Sequence, residues 1–162
     1  MAMIISNSEL LELSIKIERE GEKFYKELAD HVKDSIVKDF LIHMAKEEAS
    51  HENQFKKILE ETDNFGWEND EILKVLTEEK FQTDIFPKIG DTLGKLSQFE
   101  DIEKAFDFAI ESEKVSAEFY HILGSACKDI ELKTKLLQLE KAELDHCDKV
   151  KYLKKRIQGK FN

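Results

Sequence analysis

Proline, glycine and long apolar runs are scarce in this sequence. One proline and six glycines among 162 residues leave few positions at which a helix must break. Together with a charged fraction of 37%, this scarcity favours long helices over a sheet. No stretch approaches the roughly 20 apolar residues of a spanning helix, so we expect no membrane segment. A hydrophobic fraction of 41% is sufficient for the core of one folded domain.

Positive charge is also in deficit. The formal net charge is −10 at pH 7. Such a charge disfavours nonspecific binding to nucleic acid or to an anionic membrane surface, because both carry negative charge themselves. We therefore expect neither nucleic acid nor a membrane as a partner.

Cysteine is limited to Cys127 and Cys147, too few for a disulfide framework. If Cys127 ends one helix and Cys147 lies well inside the next, they are about 24 Å apart, too far for a disulfide. Free thiols fit a reducing compartment.

Residues 1–12 contain no basic segment, so we expect no signal peptide and a cytoplasmic location.

Four stretches place apolar residues at steps of three and four, the period of one helical face. The first comprises Leu11, Ser14, Glu18, Gly21, Tyr25 and Leu28. The second comprises Val37, Leu41, Met44, Glu48, His51, Phe55 and Ile58. The third comprises Phe106, Ala109, Glu113, Ser116, Tyr120, Leu123 and Cys127. The fourth comprises Leu132, Leu136, Leu139, Glu143, His146, Val150 and Leu153. Each stripe is predicted to be buried although a carboxylate interrupts it.

The two halves of the chain are a repeat. A shift of 95 residues relates the following pairs: Glu18 and Glu113, Tyr25 and Tyr120, Leu41 and Leu136, Glu48 and Glu143, and His51 and His146. A duplicated helical hairpin predicts an all-α four-helix bundle with a pseudo-two-fold axis. We expect a single domain over residues 1–162, with hairpin 1 at about 8–62, a long crossover at about 63–97 and hairpin 2 at about 98–158.

Two Glu-x-x-His motifs carry the chemistry. Residues three apart share a helix face, so each motif presents a carboxylate and an imidazole together. Each motif follows another glutamate on an apolar face by 30 residues. Burying four carboxylates close together is costly unless cations neutralise them. Four glutamates and two neutral histidines suit two divalent ions bridged by shared carboxylates. The predicted metal ligands are Glu18, Glu48, His51, Glu113, Glu143 and His146.

Two tyrosines stand near these predicted ligands. Tyr25 and Tyr120 each lie two turns after a predicted ligand, Glu18 or Glu113, on the same helix face. Two interpretations stay open: simple core packing, or a hydrogen bond from the phenol to a ligating carboxylate.

For five other candidate residues, structural roles are favoured over metal binding. His31, His43 and His121 lack repeat partners, which favours surface or capping roles. Gly21 and Ser116 are small residues three positions after a predicted ligand, and close helix packing is favoured over an open metal position.

At these residues the sequence resembles the rubrerythrin-like branch of the ferritin-like superfamily. The motifs Glu18-x6-Tyr25, Glu48-x2-His51, Glu113-x6-Tyr120 and Glu143-x2-His146 carry the resemblance over both hairpins. It implies a ferritin-like fold and two iron ions bridged by Glu48 and Glu143. It also implies Glu18 and Glu113 as terminal ligands, with His51 and His146 each binding one iron. Ligand chemistry alone also permits manganese or zinc.

The resemblance further implies an oxidoreductase that reduces hydrogen peroxide, or oxidises Fe(II) with dioxygen or peroxide. Rubrerythrins proper carry a rubredoxin module with Cys-x-x-Cys pairs, which this sequence lacks. We therefore expect a separate rubredoxin-like electron donor. No catalytic residue is expected beyond the metal ligands, and a homodimer or higher homo-oligomer is expected.

One further departure concerns a carboxylate that rubrerythrins have one turn after the third-helix ligand. Ser116 occupies that position here, which counts against efficient peroxide reduction. Glu22, one turn after Glu18, is a weak substitute because its repeat partner is Ala117. Two alternatives to an oxidoreductase therefore stay open: a non-catalytic iron-binding or iron-handling protein, and a metal-free structural bundle.

Overall fold

Four long helices make up the described fold. A computed structural model describes residues 7–61 and 99–159. Its helices are α1 (Asn7–His31), α2 (Ser35–Glu61), α3 (Phe99–Ala126) and α4 (Ile130–Ile157). The prediction of an all-α four-helix architecture is confirmed. The predicted crossover at 63–97 lies outside the described residues, and the single-domain assignment stays a prediction.

The turn inside each hairpin is built in the same way. Asp34 Oδ1 accepts hydrogen bonds from the backbone N–H groups of Ile36, at 2.9 Å, and Val37, at 3.2 Å. Asp129, its repeat partner, accepts from the Leu132 N–H at 2.9 Å and is the N-cap of α4. These side chains satisfy N–H groups that have no partner within the helix.

The last helix ends where the sequence places glycine. Gly159 has a φ of 68°, in the left-handed region that glycine adopts without steric cost. Lys154, Lys155 and Arg156 occupy the final turn of α4, where positive charge interacts favourably with the helix dipole.

The four predicted stripes form the core. Every side chain in them that is apolar is buried, as are the glutamates at their centres. Within each hairpin the helices pack along their length, α1 against α2 and α3 against α4. Between the hairpins, α1 lies opposite α3 and α2 lies opposite α4. The backbones of these pairs come close at fewer positions than the backbones within a hairpin do. Large side chains therefore fill the space between the hairpins, and that is where the polar cluster lies.

A contact between the hairpins, the state of the cysteines and the character of the helices complete the description of the bundle. Arg156 of α4 donates to Asp34 Oδ2 at 3.1 Å and so links the end of the second hairpin to the turn of the first. Cys127 and Cys147 are both buried and free. Within the two described ranges, no helix combines the length and apolar character needed to cross a bilayer.

Candidate metal centre

The helices bring all six predicted ligands into one layer of the core. The four glutamates are completely buried, and the His146 side chain is 1% exposed. The His51 side chain is 14% exposed. The two imidazole rings face each other with centroids 6.5 Å apart and planes inclined by 27°. Each hairpin therefore contributes one Glu-x-x-His pair and one additional glutamate to a common site.

Within this layer the side chains form two overlapping groups. Glu18, Glu48, His51 and Glu143 offer one ligand atom each, all within 4.8 Å of one another. The same holds for Glu48, Glu113, Glu143 and His146. Ligand atoms around one transition-metal ion at about 2.0–2.2 Å stand about 3–4.4 Å apart, so small side-chain movements suffice. Glu48 and Glu143 belong to both groups.

The ligand atoms are poorly satisfied by the protein itself. Eight buried side-chain atoms have no hydrogen-bond partner: Glu18 Oε2, both oxygens of Glu48, His51 Nδ1, Glu113 Oε2, both oxygens of Glu143, and His146 Nδ1. Leaving buried polar atoms unpaired is expensive, typically about 1–3 kcal/mol each. All eight belong to the six predicted ligands and converge on one layer. Cations bound at this point would satisfy them, so the residues fit a pair of divalent ions.

Contacts between the imidazoles and the carboxylates are close but do not have hydrogen-bond geometry. His146 Nδ1 lies 2.8 Å from Glu48 Oε1 and 3.4 Å from Glu113 Oε1. His51 Nδ1 lies 3.4 Å from Glu18 Oε2 and 3.8 Å from Glu143 Oε1. Both histidines thus turn Nδ1 toward the centre and Nε2 away from it.

Burial and mutual repulsion control the protonation of the carboxylates. Burial raises the pKa of Glu48 well above its usual value, and the negative charge of Glu18 raises it further. Burial also raises the pKa of Glu143, with added repulsion from Glu113 and Glu48. Burial alone would raise the pKa of Glu18, but the proximity of Glu48 and His51 and a tyrosine hydrogen bond lower it. Without metal, burial therefore favours the protonated forms of the two shared carboxylates, and bound cations would compete with those protons.

The tyrosines bridge the two hairpins. The Tyr120 hydroxyl, on α3, donates to Glu18 Oε1 on α1 at 2.7 Å. The Tyr25 hydroxyl, on α1, donates a short hydrogen bond to Glu113 Oε1 on α3. Burial raises the pKa of both phenols, and the nearby carboxylates raise it further. Of the two interpretations left open by the sequence, the hydrogen bond to a candidate ligand is therefore observed, and it reaches the glutamate of the opposite hairpin.

Glu47 is a residue of the site that the sequence analysis missed. Its Oε2 accepts a hydrogen bond from His146 Nε2 at 2.7 Å. This contact lowers the pKa of Glu47 to about 2. Burial works against the positive charge of His146, but its proximity to Glu113 and its bond to Glu47 raise its pKa to about 11. The repeat concealed Glu47, because its partner at the 95-residue shift is Ala142. Its position directly before a Glu-x-x-His motif was the available signal.

None of the remaining candidates belongs to the two groups of described residues that could hold a metal. His31, His43 and His121 are exposed, as expected, and His121 Nδ1 lies 3.0 Å from Glu140 Oε1. The Ser116 hydroxyl is buried and donates to the Ser112 carbonyl at 2.9 Å. Gly21 is buried.

Glu22 does not join the cluster of carboxylates. It pairs with Lys26 at 2.7 Å on the outside of α1. Since Ser116 is also not acidic, neither position adds a carboxylate to the centre.

A four-helix bundle with carboxylates and imidazoles clustered in its core defines the ferritin-like class of protein. Within that class, the family model for rubrerythrin matches residues 9–106, more than half of the chain. The chain therefore belongs to the rubrerythrin family. The matched range contains Glu18, Glu48 and His51 and ends before Glu113, so the internal repeat is the sequence evidence for the second half of the cluster.

The fold is similar to that of a solved protein. A crystal structure described as a ferritin-like diiron-carboxylate protein from Thermotoga maritima superposes with a TM-score of 0.70 at 21% sequence identity. The similarity covers 93% of this chain and 95% of that chain. At this identity the likeness establishes the ferritin-like fold. No curated protein matches the sequence.

Proposed function

We propose that this chain is a di-iron carboxylate protein of rubrerythrin type, an oxidoreductase that reduces hydrogen peroxide or oxidises Fe(II). The observation that carries the proposal is that Glu48 and Glu143 each belong to both four-residue groups. Two carboxylates shared by two adjacent groups are what a pair of bridged metal ions requires. Membership of the rubrerythrin family supports iron as the metal, although the ligand types also accept manganese or zinc.

The remaining ligand roles follow from membership of a single group. Glu18 belongs only to the group of His51, and Glu113 only to the group of His146. Each of these pairs is therefore assigned to one iron, with the glutamate as a terminal ligand. This assignment gives each ion one imidazole, one terminal carboxylate and two bridging carboxylates.

The residues of the chain prepare the site for redox chemistry. When bound, a ferrous pair supplies the two electrons that, with two protons, reduce one peroxide molecule to two waters. Tyr25 and Tyr120 keep their protons because their pKa values are raised, so they orient Glu113 and Glu18 as hydrogen-bond donors. The buried rings of Phe24 and Phe55 pack against Tyr25 and Tyr120, and this aromatic packing limits the access of water.

Electrons must reach the centre from outside the described helices. In residues 7–61 and 99–159, both groups able to hold a metal belong to this one centre. We propose a rubredoxin-like protein as the donor. A cytoplasmic location is proposed on the free state of Cys127 and Cys147, which suits a reducing compartment. We also propose assembly into a homodimer or higher homo-oligomer.

One observation favours a second candidate, an iron-handling protein without peroxide turnover. Ser116 occupies the position at which rubrerythrins carry an additional carboxylate, and its hydroxyl is engaged with the Ser112 carbonyl. Among the described residues, the two groups consequently contain four carboxylates that could bind metal, where rubrerythrins have five. An iron-handling protein would bind and oxidise Fe(II) but would react slowly with peroxide.

The deciding experiment begins with metal content. Wild-type protein and a Glu48→Ala/Glu143→Ala variant are purified without chelator, reconstituted anaerobically with Fe(II) and assayed for bound iron. We expect about two iron ions per chain in the wild type and a loss of both in the variant, because each substitution removes a ligand from both positions. Glu140→Ala, which removes a carboxylate outside the centre, is the control and is expected to keep both ions.

Peroxide kinetics then separate the two candidates. Rapid oxidation of the ferrous protein by peroxide, with re-reduction by a rubredoxin-like donor, is expected for the oxidoreductase. Oxidation by dioxygen without turnover of peroxide would favour iron handling. Absence of bound metal after reconstitution would contradict both candidates and leave the structural bundle.

A further inference from the structure

The repeat is broken beside the two histidines. The 95-residue shift relates His51 to His146, and it likewise relates position 47 to position 142. Position 47 is a glutamate, whereas position 142 is an alanine. The two imidazoles therefore have identical roles in the repeat but different surroundings.

His146 is fixed at both of its nitrogen atoms. Glu47 Oε2 accepts from Nε2 at 2.7 Å. A carboxylate only accepts, so the proton is on Nε2, while Nδ1 points to the centre. Glu47 is itself held by His43 Nε2, 2.6 Å from its Oε1, and by Lys149 Nζ at 3.7 Å. The ring of His146 is thus oriented before any ion arrives, with Nε2–H directed at Glu47 and Nδ1 directed at the centre.

His51 lacks this support. Ala142 cannot accept a hydrogen bond through its side chain, and no carboxylate among the described residues approaches His51 Nε2. Its side chain is 14% exposed, against 1% for His146. Because Nδ1 of His51 is buried, the exposed part of the ring is the side that carries Nε2. This imidazole forms part of the boundary between the centre and solvent.

We propose that the two metal positions are inequivalent: the His146 position binds its ion first and more tightly, and the His51 position is the weaker one, exchanging its ion with solvent. This inference rests on the proposed di-metal function. The physical reason is preorganisation. A carboxylate behind a metal-bound imidazole fixes the ring and increases its basicity, and removal of such a partner commonly weakens metal binding about 10–100-fold. A ligand free to rotate must lose that freedom on binding.

Stepwise titration with Co(II) tests the order of binding. Co(II) is a suitable probe because its absorption reports coordination and it undergoes no redox change under anaerobic conditions. We expect metal-free wild-type protein to bind two ions in two steps separated by about tenfold or more. His51→Ala should keep the tighter step, and His146→Ala should lose it. Two indistinguishable steps would overturn the inequivalence, and the reverse assignment would overturn the proposed order; either result would leave the di-metal function intact.

Substitution of Glu47 tests the cause. Glu47→Ala should weaken the tighter step about 10–100-fold and leave the weaker step within about threefold. Glu47→Gln, whose amide oxygen still accepts from Nε2, should lose less. Glu140→Ala is the matched control, since it removes a similarly placed carboxylate from an imidazole, that of His121, outside the centre. Equal weakening of both steps by Glu47→Ala would contradict a positioning role.

Proton exchange gives a readout independent of affinity. In the Co(II)-loaded protein, each coordinated imidazole has an N–H proton whose resonance is shifted far from the diamagnetic range. The His146 proton, bonded to Glu47, should exchange slowly with water, and the His51 proton rapidly. Glu47→Ala should make both exchange rapidly, whereas Ala142→Glu should slow the His51 proton and strengthen the weaker step. Slow exchange at both rings in the wild type would overturn the proposal, whereas failure to bind Co(II) at all would contradict the di-metal function itself.

Discussion

At the scale of single residues, the two glutamates outside the Glu-x-x-His motifs each have a specific hydrogen-bond partner. Glu18 and Glu113 each accept one tyrosine hydrogen bond through Oε1, while their Oε2 atoms are left for the centre. One oxygen of each terminal carboxylate is therefore satisfied by the protein, and the other is available to a metal. This division positions the carboxylates without occupying their ligand atoms.

The tyrosine contacts lead to a prediction for the metal-free protein. Tyr120→Phe leaves Glu18 Oε1 without its donor in the core, so we expect the free energy of unfolding to fall by about 1–3 kcal/mol. Denaturant unfolding in the presence of chelator measures this change. Tyr152→Phe, at a tyrosine that is 49% exposed, is the control and should cost less. An equal loss in both variants would show that the buried hydrogen bond contributes nothing specific.

Stability of the metal-free protein should fall as the pH rises from about 5 to about 9. The folded-state pKa values of Glu48 and Glu143 are raised above 4.5, so the folded protein keeps protons that the unfolded chain has already lost. His146, raised from 6.5 to about 11, acts in the same direction above pH 6.5. The pKa values of Glu18 and Glu47 are lowered, so their contribution to stability is lost only below about pH 4.5. It stays constant over the interval from about pH 5 to about pH 9.

Unfolding measured at fixed ionic strength with chelator present checks this pH dependence. A Glu48→Gln/Glu143→Gln variant should show a shallower fall, because glutamine reproduces the neutral form at every pH. Stability that rose over this interval would mean that the shared carboxylates are ionised without metal.

At the scale of the helices, the two hairpin turns repeat one capping device. Asp129→Ala removes the side-chain acceptor of the Leu132 N–H and should cost about 1 kcal/mol of stability. Asp129→Asn keeps an acceptor and should lose much less. Thermal unfolding of both variants, with Lys128→Ala as a neighbouring surface control, measures the difference. Equal losses for alanine and asparagine would argue against the cap.

Periodicity explains which features of these helices were predictable. Burial at steps of three and four is a local property of each helix, so the stripes, the turns and the placement of Glu18 could be inferred from sequence alone. The partner of a side chain across the bundle depends instead on how the helices are rotated and offset. Sequence spacing therefore could not assign Tyr25 to Glu113, or Glu47 to His146. The repeat even obscured Glu47, since a search for paired positions ignores an unpaired one.

At the scale of the whole molecule, the centre connects two hairpins whose backbones approach each other at few positions. Close backbone approaches are frequent within each hairpin, whereas large side chains make most of the contact between the hairpins. Apart from core packing, described contacts across the hairpins include the two tyrosine hydrogen bonds, the Glu47–His146 bond and the Arg156–Asp34 contact. Each proposed bridging glutamate comes from a different hairpin, so metal ions would join the two halves directly.

Metal binding should consequently stabilise the entire bundle. A ligand that binds only the folded state adds about 2.7 kcal/mol when its free concentration is 100 times its dissociation constant. We expect the melting temperature to rise on addition of Co(II) and to return on addition of chelator, with the increase growing from about pH 6 to about pH 8 because protons compete for the ligands. The Glu48→Gln/Glu143→Gln variant should show no increase at either pH. Hydrogen exchange locates the effect. Backbone amides on the sides of α1 and α3 that lie toward the opposite hairpin should gain the most protection. Uniform protection along all four helices would indicate that metal does not act by joining the hairpins.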